Sequence, residues 1–223
     1  MSNREPDPAA AERLTAATRR IVDLVRRTQA SGESAEQALA ALERAASLLE
    51  EHAHPGPWAQ RTLAWEHAFA PIGAPTDFTA FFPYSPLIGP RNPLAPPARF
   101  EIRDGRVHGR VRFGAAYVGP PESVHGGVIA ALFDELLGCA NLANEVGGMT
   151  GTLKVKYRAP TPIGEELCLE SWVERIEGRK VFARGTIHHG ETLTAEAEGV
   201  FVQGSMQRFV ERLGAAARAQ TEE

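Results

Sequence analysis

The sequence has few cysteines and no excess of positive charge, and each shortage excludes a class of protein. Its two cysteines, Cys139 and Cys168, stand in apolar or strand-like runs and not at paired ligand spacings. Neither a disulfide framework nor a zinc site is therefore expected. A formal net charge of -4 over 223 residues provides no basic field to attract nucleic acid. We expect no metal and no nucleic acid among its ligands.

Long apolar runs are also lacking. No uninterrupted apolar stretch reaches the roughly 18 residues of a membrane-spanning helix. The first residues, MSNREPDPAAAERL, have no basic start followed by an apolar core. We therefore expect a cytoplasmic protein with no membrane span. With 43% apolar residues, the chain can build one core of ordinary domain size and still carry an extension.

Residues 1–54 are predicted to form a helical hairpin. Asp7 and Pro8 suit the N-cap and the first helical position, and the sequence Ser34-Ala35-Glu36-Gln37 has the form of a capping box for a second helix. Two short helices bury too little to be stable alone, so their apolar stripe must be covered by the main domain or by another subunit. The stripe consists of Leu14, Ile21, Leu24, Val25, Leu39, Leu42, Ala46 and Leu49.

Residues 55–98 are rich in proline, with ten of the sixteen prolines between positions 55 and 97. Proline excludes long regular structure, so an extended segment is expected. The aromatic residues in it favour a segment docked on the domain over a free one. These aromatic residues are Trp58, Trp65, Phe78, Phe81 and Phe82. At the other end of the chain, residues 206–223 are expected to form a helical or disordered tail.

The main domain is predicted to span residues 99–205. Apolar residues alternate with polar ones on both sides of Asp104-Gly105, a dipeptide typical of two-residue hairpin turns. One long helix is expected from about 126 to 145. Four strand-like runs follow, near 149–158, 165–176, 180–189 and 192–203. The order predicts an α+β domain in which one helix lies on an antiparallel sheet.

The long helix carries a carboxylate, Asp134, in the middle of an apolar run. Positions 127, 131, 134, 138 and 141 share one helix face and are Gly, Ala, Asp, Gly and Asn, so small residues surround the acid. An isolated mid-helix Asp is more often a solvated surface residue. Here His125, Gly126 and Gly127 precede the helix, and glycines at a helix start expose unpaired N–H groups to a developing oxyanion. The combination favours a catalytic site.

The spacing of these groups predicts a shared site. Gly127 and Asp134 are seven residues apart, which corresponds to roughly 10 Å along a helix axis. A single carbonyl group cannot easily meet both. Two such helices packed antiparallel about a two-fold axis would bring the glycines of one chain near the acid of the other. We therefore expect a homodimer, or a tetramer built as a dimer of dimers, in which the N-terminal hairpin caps the assembly.

Three motifs carry a resemblance to a known family. They are HGGVIAALFDELLG at 125–138, MTGTLKVKYRAPTPIGEEL at 149–167 and VERIEGRKVFARGTI at 173–187, with weaker support from SPLIGPRNPLAPP at 85–97. In this order and spacing the sequence resembles the hotdog-fold acyl-CoA thioesterases, within them the PaaI-like group and its THEM4-like branch. The resemblance covers about residues 84–203. It implies an antiparallel sheet wrapped around one long central helix.

The resemblance also implies residue roles. Asp134 would be the catalytic carboxylate, acting as general base or as nucleophile. The N–H of Gly126 would polarise the thioester carbonyl, His125 would shape that turn, and Thr150 would help to hold the attacking water. One departure is Gly119, which stands where many PaaI-like enzymes have an Asn six residues before the His. No cofactor is implied beyond the coenzyme A of the substrate.

Further residues are predicted to contact the substrate. Gly127 and Glu135 flank the proposed site, and Arg179, Lys180 and Lys156 are candidates for the phosphates of coenzyme A. For each basic residue taken singly, a charged turn or a solvated strand face is the simpler interpretation.

The sequence is also compatible with two rival functions. A hotdog domain can act as a hydratase or dehydratase on the acyl chain, although the acid and His spacings of those enzymes are not found around Asp134. The protein can also be a non-catalytic acyl-CoA sensor or scaffold. The presence of both Asp134 and Thr150 favours catalysis. Acyl chain length, aromatic or aliphatic preference and pathway do not follow from the sequence.

Overall fold

A computed structural model describes residues 7–54, 59–61, 75 and 77–204. The predictions for Trp58, Trp65 and the 206–223 tail lie outside the described residues. The helices are α1 (Pro8–Arg27), α2 (Glu33–Glu50), α3 (Phe78–Phe81) and α4 (Gly126–Ala143), with a 3₁₀ turn at Ala115–Tyr117. The strands are β1 (Arg99–Arg103), β2 (Arg106–Arg112), β3 (Met149–Tyr157), β4 (Glu166–Glu177), β5 (Lys180–His189) and β6 (Thr192–Val202).

The six strands form one sheet in the order β1-β2-β4-β5-β6-β3, and every neighbouring pair is antiparallel. Asp104 and Gly105 have φ values of 51° and 72°. Two consecutive positive φ angles are those of the hairpin turn that the dipeptide predicts. β3 follows α4 in the chain and pairs with the last strand, so it occupies one edge of the sheet.

The central helix α4 packs on the sheet and supplies much of the core. Its buried apolar side chains are Ile129, Leu132, Phe133, Leu136, Leu137, Cys139 and Ala140. Two sheet glycines allow close approach: a Cβ on Gly185 would lie 3.1 Å, and one on Gly199 2.9 Å, from a methyl carbon of Leu137. Although α4 is long and apolar enough to cross a bilayer, these contacts make it the core helix of a globular domain. The predicted arrangement of one helix on an antiparallel sheet is confirmed.

The start of α1 is as predicted, whereas the start of α2 is not. The carboxylate of Asp7 accepts a hydrogen bond from the Ala9 N–H, and Pro8 is the first helical residue. The predicted capping box at residues 34–37 is wrong, because the N-cap of α2 is Gly32, two residues before Ser34, and it makes no side-chain cap. Gly32 has φ 52°. Glycine adopts this conformation at little cost, which moves the turn ahead of Ser34.

The apolar stripe of the helical hairpin is only partly covered. α1 contacts the domain through Arg19, which donates to the Gly89 carbonyl, and through Asp23, which accepts from the Ala115 N–H. Leu14 of α1 and Leu49 of α2 remain 51% and 52% exposed. Coverage of this stripe by another subunit stays a prediction, as do the exact domain boundaries.

The longest described part of the proline-rich segment, residues 77–98, is docked on the domain as expected. Phe78, Ile88 and Ala95 are buried. Asp77 caps the short helix α3 by accepting from the Thr79 and Ala80 N–H groups. We refer to residues 83–98 as the strap.

Candidate active site

Asp134 and Thr150 meet at the edge of the sheet. The Thr150 hydroxyl donates a 2.7 Å hydrogen bond to Oδ1 of Asp134, and both residues are exposed. Strict alternation along β3 would put Thr150 on the strand face away from Leu153, whereas the structure turns its side chain toward α4. The register of β3 with β6 shifts between Thr150 and Thr152. Such a bulge redirects the side chain toward α4.

The His-Gly-Gly turn forms the N-terminus of α4. His125 is the N-cap, and its Nδ1 accepts the Gly127 N–H at 3.0 Å, so this nitrogen carries no proton. The backbone N–H of His125 donates a hydrogen bond to the carbonyl oxygen of Tyr117. The Gly127 N–H is therefore occupied, which weighs against its predicted contact with substrate. The Gly126 N–H makes no hydrogen bond within the described part of the chain, and it lies at the positive end of the helix.

Tyr157 fixes this turn, and sequence reasoning assigned it no such role. Its hydroxyl donates a 2.8 Å hydrogen bond to the carbonyl oxygen of Gly126. Thr150 and Tyr157 thus attach one strand, β3, to both functional points of α4. The sequence feature that could have indicated this role is the hydroxyl group of Tyr157, which stands at a strand position where an apolar side chain is expected.

Gly119 packs directly against the turn. A Cβ at this position would lie 2.6 Å from Cα of His125. The residue found in many PaaI-like enzymes at this place, Asn, does not fit without movement of the backbone. The close packing of Gly119 against His125 therefore accounts for the absence of Asn at this position.

Glu135 lies beside Asp134 in the chain but turns toward the strap. Its Oε1 accepts a 2.8 Å hydrogen bond from the Ser85 hydroxyl. Burial raises the pKa of this carboxyl, the Ser85 hydrogen bond opposes the shift, and the neighbouring Asp134 adds to it. The structure does not bring Glu135 to the Asp134–Thr150 pair, so its contact with substrate stays a prediction.

The predicted phosphate-binding residues are dispersed. Lys156 lies 3.6 Å from a carboxylate oxygen of Glu196, on the sheet face opposite α4. Arg179 lies in the β4–β5 turn and donates a hydrogen bond to the carbonyl oxygen of Gln203, which follows β6. Lys180 is exposed at the start of β5. Within the described chain, none of the three is gathered around Asp134.

The face of α4 around Asp134 is open. Gly127 and Ala131 are exposed, and a Cβ added to Gly138 would find no atom within 4 Å. The adjoining strand β3 has no neighbour on its outer side among the described strands. A carboxylate, a hydroxyl and a free N–H therefore border a surface with room for an extended ligand or a second helix.

Comparison with known proteins assigns the family. The profile of the Thioesterase superfamily matches residues 122–207. A thioesterase superfamily protein of known crystal structure is 36% identical to this chain in sequence, and the two structures superpose with a TM-score of 0.72. The match covers 86% of this chain and 94% of that chain. The chain belongs to the thioesterase superfamily, and its fold is the hotdog fold that the motifs implied.

The resemblance to the THEM4-like branch is also confirmed. Acyl-coenzyme A thioesterase THEM4 of Xenopus laevis is 40% identical over 87 residues, a match that covers 38% of this chain and 39% of the relative. The same enzyme of Mus musculus is 36% identical over 87 residues, covering 38% of this chain and 37% of the relative. The match therefore spans about two fifths of the length of these curated relatives.

Proposed function

We propose that the protein hydrolyses acyl-CoA thioesters to the free acid and coenzyme A. The observation that carries this proposal is the hydrogen bond from the Thr150 hydroxyl to the Asp134 carboxylate, on an otherwise open helix face. A thioester hydrolase needs a positioned water or nucleophile, a base and a group that stabilises the oxyanion. The names of the relatives, acyl-coenzyme A thioesterases, support the substrate class.

Asp134 is the proposed base or nucleophile. Thr150 occupies Oδ1, which leaves Oδ2 to accept a proton from water or to attack the carbonyl carbon itself. In the base mechanism the water oxygen bonds to the carbonyl carbon, the carbon–sulfur bond breaks, and the thiolate of coenzyme A leaves and takes up a proton. In the nucleophile mechanism Oδ2 of Asp134 bonds to the carbonyl carbon, the carbon–sulfur bond breaks and the thiolate of coenzyme A leaves and takes up a proton. Water then cleaves the resulting mixed anhydride to the free acid and the Asp134 carboxylate.

The Gly126 N–H is the proposed oxyanion donor. It is the first N–H of α4 and has no acceptor within the described residues. The helix dipole adds positive potential at this point. His125 and Tyr157 hold the turn from its two sides, through the Gly127 N–H and the Gly126 carbonyl. They are positioning residues, because their contacts are to the turn itself.

Each site is proposed to combine two subunits of a homodimer. Gly126 and Asp134 are eight residues apart on one helix, which corresponds to about 12 Å along its axis. The exposed Gly127 and Ala131 of α4, together with the outer side of β3, which has no neighbour among the described strands, give a second copy a surface to pack on. A two-fold axis there would place the Gly126 N–H of one chain near the Asp134 carboxylate of the other.

Thiol release from a panel of acyl-CoAs tests the proposal. Short, long and aryl acyl-CoAs are compared with wild type, Asp134→Asn and a matched control, Glu191→Gln, which alters an exposed carboxylate at the β5–β6 turn. We expect turnover in wild type and the control, and about a hundredfold loss or more in Asp134→Asn. Binding of acyl-CoA without thiol release would favour the non-catalytic sensor, and a change in the acyl chain without release would favour a hydratase.

A further inference from the structure

A second cleft lies away from the Asp134–Thr150 pair, between α1, the strap and the segment that leads to the His-Gly-Gly turn. Its volume is about 330 Å³, which is at the lower end of the range for small-molecule sites. Much of its wall is apolar. The apolar wall residues are Val22, Pro93, Ala95, Pro97, Phe113 and Ala116.

Three arginines border the same cleft, Arg19, Arg20 and Arg112. Arg19 donates to the carbonyls of Gly89 and Asn92 at 2.6 and 2.8 Å, and Arg112 donates to that of Gly164 at 2.9 Å. Arg20 is exposed.

None of these three guanidinium groups has a carboxylate partner among the described residues. Other arginines of the domain do have one: Arg110 pairs with Glu166 and Arg106 with Glu170. The one acid in the cleft wall, Asp23, is already engaged, because its two oxygens accept from the Ala115 N–H and from Arg27. The cleft therefore concentrates positive charge that the described chain does not neutralise.

We propose that this cleft binds an amphiphilic carboxylate, a molecule with one carboxylate head and an apolar chain. Guanidinium groups recognise carboxylates through paired hydrogen bonds. The exposed Arg20 and the N–H groups of Arg112 that do not contact Gly164 can supply them. The apolar walls take the chain. Arg19 is pinned between two strap carbonyls, and its buried Nε has no partner in the described structure. It adds fixed charge and holds α1 on the strap.

Carboxylates are also the product class of the proposed hydrolysis. The assignment of the cleft nevertheless depends on its own charge and walls, and binding tests it without any turnover. Failure of one proposal therefore leaves the other standing.

Calorimetric titration with octanoate tests whether the cleft binds an amphiphilic carboxylate. The octanoate concentration is kept below that at which it self-associates. The variants are the double substitution Arg20→Gln/Arg112→Gln and a matched control, Arg26→Gln/Arg110→Gln, which removes the same charge from α1 and β2 outside the cleft. We expect saturable binding in wild type and control, and affinity at least about tenfold weaker in the cleft variant. Octan-1-ol should bind more weakly than octanoate because it lacks the charge.

Several results would overturn the proposal. They are the absence of saturable octanoate binding, equal affinity for octan-1-ol, and an equal loss in both double variants. Retention of octanoate binding in the cleft variant would place the ligand elsewhere, including the Asp134 site. Displacement of octanoate from the cleft by inorganic phosphate or coenzyme A at comparable concentration would identify a phosphate site instead.

Discussion

The Thr150 hydroxyl donates to the Asp134 carboxylate at 2.7 Å, and this bond joins the edge strand β3 to the middle of α4. Thr150→Val keeps the shape of the side chain but removes the donor. We expect kcat for thioester hydrolysis to fall by about 10- to 100-fold, the value of a hydrogen bond to a charged group. Thr150→Ser should restore most of the rate. Equal kcat in the Val variant and wild type would show that the bond has no part in the reaction.

The oxyanion donor can be removed without disturbing the helix. Gly126 is the first residue of α4, where proline is well tolerated, and His125 already has the φ and ψ of −61° and 130° that suit a residue before proline. Gly126→Pro should therefore fold but lose about 10²- to 10³-fold in kcat. Gly126→Ala, which keeps the N–H, is the control and should stay close to wild type. Similar rates in both variants would exclude this N–H as the donor.

Gly119 is expected to be sensitive even to alanine. A Cβ there meets Cα of His125 at 2.6 Å, so the backbone of the turn must move. We expect Gly119→Ala to lower the free energy of unfolding by about 1–3 kcal/mol and to reduce thioester hydrolysis. Gly147→Ala is the control, because a Cβ at Gly147 has no atom within 4 Å. Urea denaturation measures the difference, and equal stability of the two variants would contradict the close packing.

The burial of the Glu135 carboxyl group should make the free energy of unfolding depend on pH. Burial raises the pKa of its carboxyl, so the folded state holds this proton at pH values where the unfolded state has released it. The stabilisation is fully present below the unfolded pKa and is lost as pH rises through the folded pKa. Glu135→Gln mimics the protonated form and can still accept from the Ser85 hydroxyl.

Unfolding curves from about pH 4 to about pH 8 check this expectation for Glu135. The gap in unfolding free energy between Glu135→Gln and wild type should grow in favour of the Gln variant as pH rises. A gap that does not change with pH would contradict the burial argument.

Most of the fold could be predicted because local patterns and packing agree. The alternation of apolar and polar residues predicted the strands, and the Asp104-Gly105 dipeptide predicted the turn of the first hairpin. The spacing of apolar residues between 126 and 145 predicted the core helix. The start of α2 was missed because the left-handed conformation of Gly32 moved the helix boundary ahead of the apparent capping box. A single backbone conformation of this kind has no periodic signal.

The site was predictable in its residues but not in its contacts. The small-residue face and the His-Gly-Gly turn indicated Asp134 and Gly126. The bulge that brings Thr150 to Asp134 reverses simple alternation, and the Tyr157 contact joins residues 31 positions apart. The turn of Glu135 toward Ser85 depends on the course of the strap, which no local pattern determines.

A mixed dimer tests the shared catalytic site most directly. Asp134→Asn and Gly126→Pro chains carry different affinity tags, and the heterodimer is purified through both. If each site takes its acid from one chain and its N–H from the other, the heterodimer has one intact site and should recover about half of the wild-type rate. Each parent homodimer should be inactive. A heterodimer of confirmed composition that is as inactive as its parents would contradict the account.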